Sequence, residues 1–414
     1  MSRKLNVYLC GKKTGVLSED EQLQLSFQYS NVNVKPLSVC LPVRTEKYSH
    51  THVYPFFENI IPEGEAFEIL TKDHVSGNKV YSFLDRFGGD CAGAVAFYEN
   101  TPANDTGKNL NEITFEKIAH IIDRLPEDPL LTSLENPPRL SLAGAQSKFA
   151  VYKIDNKYYR SDDNHPTTHI IKITNKRFPG LLENELFCMK LAKIMQMDVP
   201  DVELKDSLSR PYLEIKRFDR CIENGIVSRI HQEDFCQALG IVSNKKYQSG
   251  GGPGLRDCKR VIDEFSDNKL ADITGFVEWI IFNYFTGNTD AHAKNLSLLH
   301  TETGIRLAPF YDLLSTEVYP MKLIDHYTAM LINGKGRYDS AGKNDFLALF
   351  EQLGLNAANM MKSIKSRFTG IAAAAESLRE SLVNIHKRNK DKTKIVVFDE
   401  IIKIIKKRYA ILYL

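Results

Sequence analysis

Between residues 276 and 312 the sequence changes pattern in a fixed order. The apolar run Phe276 to Phe285 reads as a buried helix. It gives way to Asn288-Thr289-Asp290-Ala291-His292-Ala293-Lys294-Asn295, then to a strand, Leu296 to Leu299, and the hairpin ends in Phe310-Tyr311-Asp312. Phosphoryl transfer asks a protein for positioning and neutralised charge more than for covalent chemistry. A carboxylate must orient the attacking hydroxyl and accept its proton, which is the part Asp290 fits. An amide and a second carboxylate, here Asn295 and Asp312, must hold magnesium against the β- and γ-phosphates. The spacing alone discriminates little, since Asp-x-x-x-x-Asn recurs at Asp73, Asp219, Asp263 and Asp339. The setting separates Asp290: a buried helix before it, a hairpin after it, an aromatic-Asp at the end. The competing reading is that Asp290 and Asn295 only cap a turn.

The rest of the chain supplies a matching frame. Residues 1 to about 100 read as strand-rich, with apolar runs Leu5 to Leu9 and Leu37 to Val43 set apart by Gly11 and Gly15. Pro55 to Pro62 reads as a buried helical segment bracketed by prolines, and Arg86 to Val95 as a glycine loop entering a strand. A helix, Thr114 to Leu125, precedes a connector through Pro137 and Pro138. A hairpin turns at Asp155-Asn156, and His169 to Ile173 reads as a central strand. Leu181 to Met195 has helical periodicity, Pro211 to Phe218 is another strand, and from Gln232 onward the chain is mainly helical. The expected division is 1–135, a strand-rich subdomain; 136–220, a nucleotide-binding portion; and 221–414, a helical portion with the catalytic loop. The fold class expected is α+β, a two-lobed protein-kinase-like fold with an extra N-terminal subdomain.

Lys172 is the second signal. A lysine inside Ile-Ile-Lys-Ile is costly in a strand buried on both faces unless it meets an anion. In a kinase the anion is the nucleotide's α- and β-phosphates, with a helix carboxylate, Glu185 in preference to Glu183, holding the lysine between turnovers. The competing reading is an edge strand with Lys172 in water. The third signal is the small-residue loop Ser141-Leu142-Ala143-Gly144-Ala145-Gln146-Ser147-Lys148, whose backbone N–H groups can approach phosphate oxygens. Read alone it is an ordinary turn, and the chain holds no Gly-Lys-Ser/Thr.

Composition closes several other routes. A net charge of +2 gives no global attraction to nucleic acid or to an anionic membrane. Seven scattered cysteines without a Cys-x-x-Cys pair argue against a disulfide framework and a zinc ribbon, and point to a reducing compartment. The N-terminus carries no signal peptide, and the Phe276–Phe285 run is too short to span a bilayer, so a cytoplasmic protein without a membrane is expected. His292 has no ligand partner at metal-binding spacing. Gly250 to Gly254 reads as a flexible loop before it reads as a phosphate nest.

Together these segments resemble the HipA family, the serine/threonine kinase toxins of bacterial toxin–antitoxin pairs. The pieces are Ser141 to Gln146, Thr167 to Lys172, Asn184-Glu185, Arg217 to Arg220, Gln232 to Gln237, Tyr247 with Gly251 to Gly254, Thr289 to Asn295 and Pro309 to Asp312. The Phe-Phe-Glu-Asn-Ile-Ile-Pro segment and the loop near Gly93 resemble the family's N-terminal subdomain. The resemblance implies an ATP–magnesium protein kinase acting on a translation protein such as an aminoacyl-tRNA synthetase. It implies Asp290 as catalytic base, Asn295 and Asp312 as magnesium ligands, and Lys172 on the phosphates with the loop of Ala143, Gly144 and Ala145. Lys216, Arg217 and Phe218 would lie at the hinge by the adenine, and His292 near the phosphates. Ser141 matches an autophosphorylation site, where added charge would expel the loop and switch the kinase off. Two positions depart from the family's pattern: basic Lys216 at the hinge, and Ser147, a competing phosphosite. The implied partner is a helix-turn-helix antitoxin dimer that binds operator DNA. The basic run His386 to Lys394 and the helix Phe398 to Tyr409 read either as part of such an assembly or as a solvated face. A small-molecule kinase of the aminoglycoside or choline type, or a nucleotide-binding module without turnover, would use the same acidic loop. The first gives the Ser141 loop and the N-terminal subdomain no purpose, and against the second all the expected catalytic groups are present.

Overall fold

A computed structural model describes residues 2–64, 67, 77–100, 110–128, 139, 141–144, 146–162, 165–386 and 392–413. It divides into two compact units that are discontinuous in sequence. The first comprises Met1–Ile173, Lys205–Asn244 and Ser297–Ala308; the second comprises Thr174–Leu204, Lys245–Leu296 and Pro309–Leu414. The sequence-based division into 1–135, 136–220 and 221–414 is continuous, and so partitions the chain differently. Among the described residues no helix is long and apolar enough to cross a membrane.

In the first unit, β1 (Arg3–Leu9), β2 (Lys12–Glu19), β3 (Leu25–Tyr29) and β4 (Val95–Tyr98) form an antiparallel sheet in the order β3-β2-β1-β4. Alternation sends Leu5, Val7, Leu17 and Phe27 inward, where they pack with Phe56 and Phe57 of α1 (His50–Glu58) and Leu84 of α2 (Lys79–Phe87). The helix begins upstream of the expected segment, so Pro55 lies inside α1 rather than at its border. Leu37 to Val43 forms no strand, only the isolated bridge Ser38–Leu41.

A six-stranded sheet follows, ordered β5-β7-β6-β8-β10-β9, from β5 (Glu112–Ile113), β6 (Lys148–Ile154), β7 (Lys157–Tyr159), β8 (His169–Ile173), β9 (Val202–Ser207) and β10 (Arg210–Lys216). The β6–β7 turn places Asp155 and Asn156 at φ +47° and +61°, the left-handed pair that a two-residue hairpin requires. Helix α3 (Phe115–Arg124), capped by the Thr114 hydroxyl, lays Ile118, Ile121 and Ile122 on Phe149, Ile171 and Tyr212 of this sheet. β11 (Arg220–Glu223) and β12 (Ile226–Arg229) form a ribbon. β13 (His231–Asp234) pairs with the hairpin β14 (Ser297–Thr301) and β15 (Gly304–Leu307). The stretch expected to be mainly helical from Gln232 onward thus opens on a strand, and helix α5 starts only at Phe235 and runs to Leu239.

The second unit is helical: α4 (Leu181–Ile194), α6 (Leu255–Phe265), α7 (Lys269–Thr286), α8 (Lys343–Gln352), α9 (Ala357–Arg367), α10 (Ile371–His386) and α11 (Lys392–Tyr413). Phe276, Phe282 and Phe285 of α7 are fully buried, as expected for an apolar run of this length. Phe187 of α4 stacks on Phe398 of α11 at 5.0 Å. Burying such a pair contributes about 3–5 kcal/mol per ring against truncation to alanine.

Candidate active site

Helix α7 ends at Gly287, whose φ of +70° closes the helix by returning its N–H to Tyr284. The chain then turns on Asn288. Its amide donates to Asn283 Oδ1 at 2.8 Å, and its Oδ1 accepts the Asp290 N–H at 3.3 Å. Thr289 is locked by its N–H and hydroxyl to the Thr316 hydroxyl, both at 2.7 Å, and its carbonyl accepts the Ala329 N–H at 2.8 Å. Asp290 is thereby presented as an exposed side chain on a buried loop. Its Oδ1 accepts the Tyr247 hydroxyl at 2.8 Å.

After Asp290 the chain makes a short 3-10 turn at Ala293–Asn295. Asn295 Oδ1 accepts the His292 N–H at 3.1 Å, and its Nδ2 lies 3.4 Å from Asp312 Oδ2. Asp312 has φ +53°, a left-handed conformation that aspartate tolerates better than most residues. Three contacts hold this segment: Asn288 Nδ2 to the Asp312 carbonyl at 3.5 Å, the Tyr311 hydroxyl to the Lys294 carbonyl at 2.6 Å, and Asn184. Asn184, fully buried in α4, grips both the N–H and the carbonyl of Ser315 at 2.7 Å. The donor set tests well against magnesium. Asn295 Oδ1 uses one lone pair on His292 and keeps another, and the Asp312 carboxylate lies beside its amide nitrogen. A magnesium ion takes one or two protein ligands and fills its remaining positions with phosphate oxygens and water.

The other expected site residues lie in the first unit. Lys172 is 5% exposed on β8, flanked by β6 and β10, so the edge-strand reading is overturned. Ile171 and Ile173 point into the α3 core, which sends Lys172 to the opposite face. There it stands directly across from Lys148, two ammonium-bearing chains in register on one face. Gly144 has φ +102°, and a Cβ on it would come within 2.7 Å of Lys148 Nζ, so the loop backbone and a lysine approach closely. The bridge from Gly144 to Pro62 and the bond from Ser141 Oγ to the Ile60 carbonyl at 2.9 Å dock the loop on the segment after α1. Ser141 is wholly buried, Ala143 half-buried, and Ala145 lies outside the described residues. Ser147 is half-buried and its carbonyl accepts the Ile173 N–H at 3.3 Å.

At the end of β10, Lys216 is exposed and Phe218 half-buried. The guanidinium of Arg217 is consumed elsewhere: it holds Asp219 through two bonds of 2.9 and 2.7 Å, the Thr167 hydroxyl at 2.8 Å and the Cys91 carbonyl at 2.9 Å. Its backbone N–H is taken as well, by the Thr168 carbonyl at 2.9 Å. Arg220 completes the cluster with Asp90 at 2.7 Å. Burial would raise the Asp90 carboxyl, but Arg220, Arg217 and Arg229 outweigh it and hold the group well below the usual carboxylate range.

Glu185 is fully buried and Glu183 nearly so, both in α4 of the second unit. The glycine run is an ordered turn, with Gly250 and Gly252 donating their N–H groups to the Tyr247 carbonyl at 3.0 Å. The whole of the basic run His386 to Lys394 lies outside the residues whose side chains are described. In the helix beyond it, Phe398, Ile401 and Ile405 face inward, while Lys403 and Lys406 pair with Glu400 and Glu376 at 2.5 Å. Sequence reasoning gave no role to Tyr247, Asn288 or Asn184. Asn288 had a signal, an Asx residue two before the key carboxylate; the others act over long separations.

Two family descriptions match the chain: "HipA N-terminal domain" over residues 5–98 and "HipA-like C-terminal domain" over residues 140–378. A Sinorhizobium fredii protein named "Putative kinase Y4mE" is 40% identical over 331 residues, covering 77% of this chain and 78% of that one. The serine/threonine-protein kinase toxin HipA of Shewanella oneidensis is 31% identical over 339 residues, covering 77% and 75%. Among solved structures, the Shewanella oneidensis HipA, HipB and operator DNA complex matches with a TM-score of 0.83 at 25% identity, over 98% of this chain and 97% of that one. The fold class is the expected α+β, protein-kinase-like one.

Proposed function

Because the chain belongs to the HipA family of serine/threonine-protein kinases, we propose that it transfers the γ-phosphate of ATP to a serine or threonine of a host translation protein, such as an aminoacyl-tRNA synthetase. It does so as the toxin of a toxin–antitoxin pair. The observation that carries this reading is the loop after α7, where an exposed Asp290 lies five residues before Asn295, whose amide reaches the Asp312 carboxylate at 3.4 Å. Kinases use ATP in general, and the residue roles that follow are those the resemblance to the family implies.

Asp290 receives the substrate hydroxyl. As the hydroxyl oxygen bonds to the γ-phosphorus, its proton passes to Asp290, the bond from the γ-phosphorus to the β–γ bridging oxygen breaks, and ADP leaves with that electron pair. Asn295 and Asp312 would hold magnesium, which when bound neutralises charge on the β- and γ-phosphates. Lys172 and the loop of Ala143, Gly144 and Ala145 bind phosphate oxygens, Lys216 and Phe218 flank the adenine through backbone and ring, and His292 lies near the phosphates. In this reading 1–135 serves as the accessory subdomain, 136–220 binds nucleotide and 221–414 carries the catalytic loop. Phosphate on Ser141 cannot be housed where the hydroxyl now sits, so its addition holds the loop out and switches the enzyme off. Ser147 is the competing acceptor. A helix-turn-helix antitoxin dimer, with operator DNA reached through it, is the proposed partner, and the cytoplasm the proposed location. The Asp290 loop would serve a small-molecule kinase or a module without turnover as well, and the family match favours the protein kinase.

Incubation of the purified chain with labelled ATP and magnesium tests the reading. We expect self-labelling that Ser141→Ala largely removes. Asp290→Asn should bind nucleotide normally and lose about 10²–10⁴ in labelling rate. Undiminished labelling of Asp290→Asn would refute the assignment.

A further inference from the structure

We infer that Tyr247 is a positioning residue for Asp290, fixing which carboxylate oxygen meets the incoming hydroxyl. The inference rests on the reading of Asp290 as the proton acceptor. Its own basis is a set of contacts within the second unit. The Tyr247 hydroxyl donates to Asp290 Oδ1 at 2.8 Å, and the ring stands edge-on to His292, 5.5 Å between centroids at 74°. Lys246 Nζ lies 5.5 Å from the ring centroid.

The backbone beneath this ring is held on several sides. The Tyr247 carbonyl accepts the N–H groups of Gly250 and Gly252 at 3.0 Å. The next residue, Gln248, donates its N–H to the Ala329 carbonyl at 2.9 Å and accepts the Leu331 N–H on Oε1 at 2.7 Å. Ala329 in turn donates its N–H to the Thr289 carbonyl at 2.8 Å, one residue before Asp290. Phenol and carboxylate are therefore mounted on one laced backbone, although 43 residues separate them in sequence.

The chemistry favours a phenol at this place. An exposed aspartate turns freely about its terminal torsion, and either oxygen can face the substrate. A donor on Oδ1 fixes that torsion and leaves the other oxygen to accept the substrate proton. A lysine or arginine would fix it too, but a cation beside the carboxylate would lower its basicity by one to several pKa units, about 1–3. A neutral hydroxyl orients at smaller cost to basicity.

Single-turnover self-labelling of the full chain at varied ATP tests this with Tyr247→Phe and Tyr247→Ala beside Asp290→Asn. Phe keeps the ring against His292 and removes only the donor. We expect Tyr247→Phe to lower the limiting rate about ten- to hundredfold, the scale of a lost hydrogen bond to a charged group. Its half-saturating ATP and thermal midpoint should stay at the wild-type values, and Tyr247→Ala should be at least as slow. A merely structural ring predicts the opposite split, with Phe like wild type and Ala impaired. A Tyr247→Phe rate at or above wild type, with Asp290→Asn silent, overturns the role of Tyr247 alone. An active Asp290→Asn instead removes the reading beneath it.

Discussion

At the residue scale, a buried histidine sets how this protein meets acid. His231 Nε2 lies 2.7 Å from the Leu37 carbonyl, which can only accept, so Nε2 carries the proton and Nδ1 is bare. Nδ1 is buried with no hydrogen-bond partner among the described residues, and the ring faces His300 at 4.8 Å. Burial first, then the proximity of His300, push its pKa down to about 3; the Leu37 carbonyl and Asp219 pull the other way, and Lys35 adds slightly to the fall. An unfolded histidine takes up its proton near pH 6.5. Below that value the unfolded chain binds a proton that the folded chain refuses, so stability falls as pH drops from about 6.5 towards about 3 and is untouched above. Between pH 7 and 5 this one group should remove about 2 kcal/mol. Urea titrations at the two pH values should show that loss, and His231→Phe should shrink it by a similar amount.

At the scale of elements, the end of α7 decides whether the Asp290 loop is presented. Gly287 has φ +70°, its carbonyl accepts the N–H groups of Thr316 and Glu317 at 3.0 and 3.1 Å, and a Cβ there would lie 2.9 Å from Glu317 Oε2. Glu317 cannot easily yield, because Arg408 holds both its oxygens at 2.8 and 2.9 Å. Gly287→Ala should therefore cost about 1–2 kcal/mol from the left-handed backbone alone, more with the crowding, and lower the labelling rate with it. Thermal melts and labelling of the same preparation check both. This element was half legible in the sequence. The apolar period of Phe276 to Phe285 announced a buried helix, and Ile-Ile-Lys-Ile announced a central strand, because burial on both faces leaves a compositional mark. The strand His231–Asp234 was missed, since four polar-rich residues carry no alternation and gain their ladder only from β14, some 60 residues later. Arg217 was expected at a ligand and is spent on Asp219, a choice that only the packed interior reveals. Tyr247 was visible as a family residue but mute as chemistry until its hydroxyl met Asp290.

At the scale of the whole molecule, stability of the first unit leans on a charge cluster that joins three distant stretches. Asp219 accepts the Gly93 N–H at 2.6 Å and pairs with Arg217 and Arg220, while Asp90 pairs with Arg220 and accepts both the N–H and the hydroxyl of Thr167 at 2.8 Å. Removing one anion leaves two buried guanidinium groups undercompensated, so Asp219→Ala should destabilise by about 3–5 kcal/mol. The urea midpoint of the full chain would report it, and an exposed pair such as Lys157–Glu112 should by comparison cost little when broken. The same cluster anchors the Ser141 loop, for the Asp90 carbonyl accepts the Ser141 N–H at 3.1 Å. With its hydroxyl on Ile60 and no surface exposed, Ser141 is out of reach of any phosphate donor while the loop stays docked. Silencing by that route waits on two hydrogen bonds letting go together before the chemistry can act. Identical molecules would then fall quiet one at a time, over a spread of waiting times that a single methyl group or a few degrees of warming could shorten.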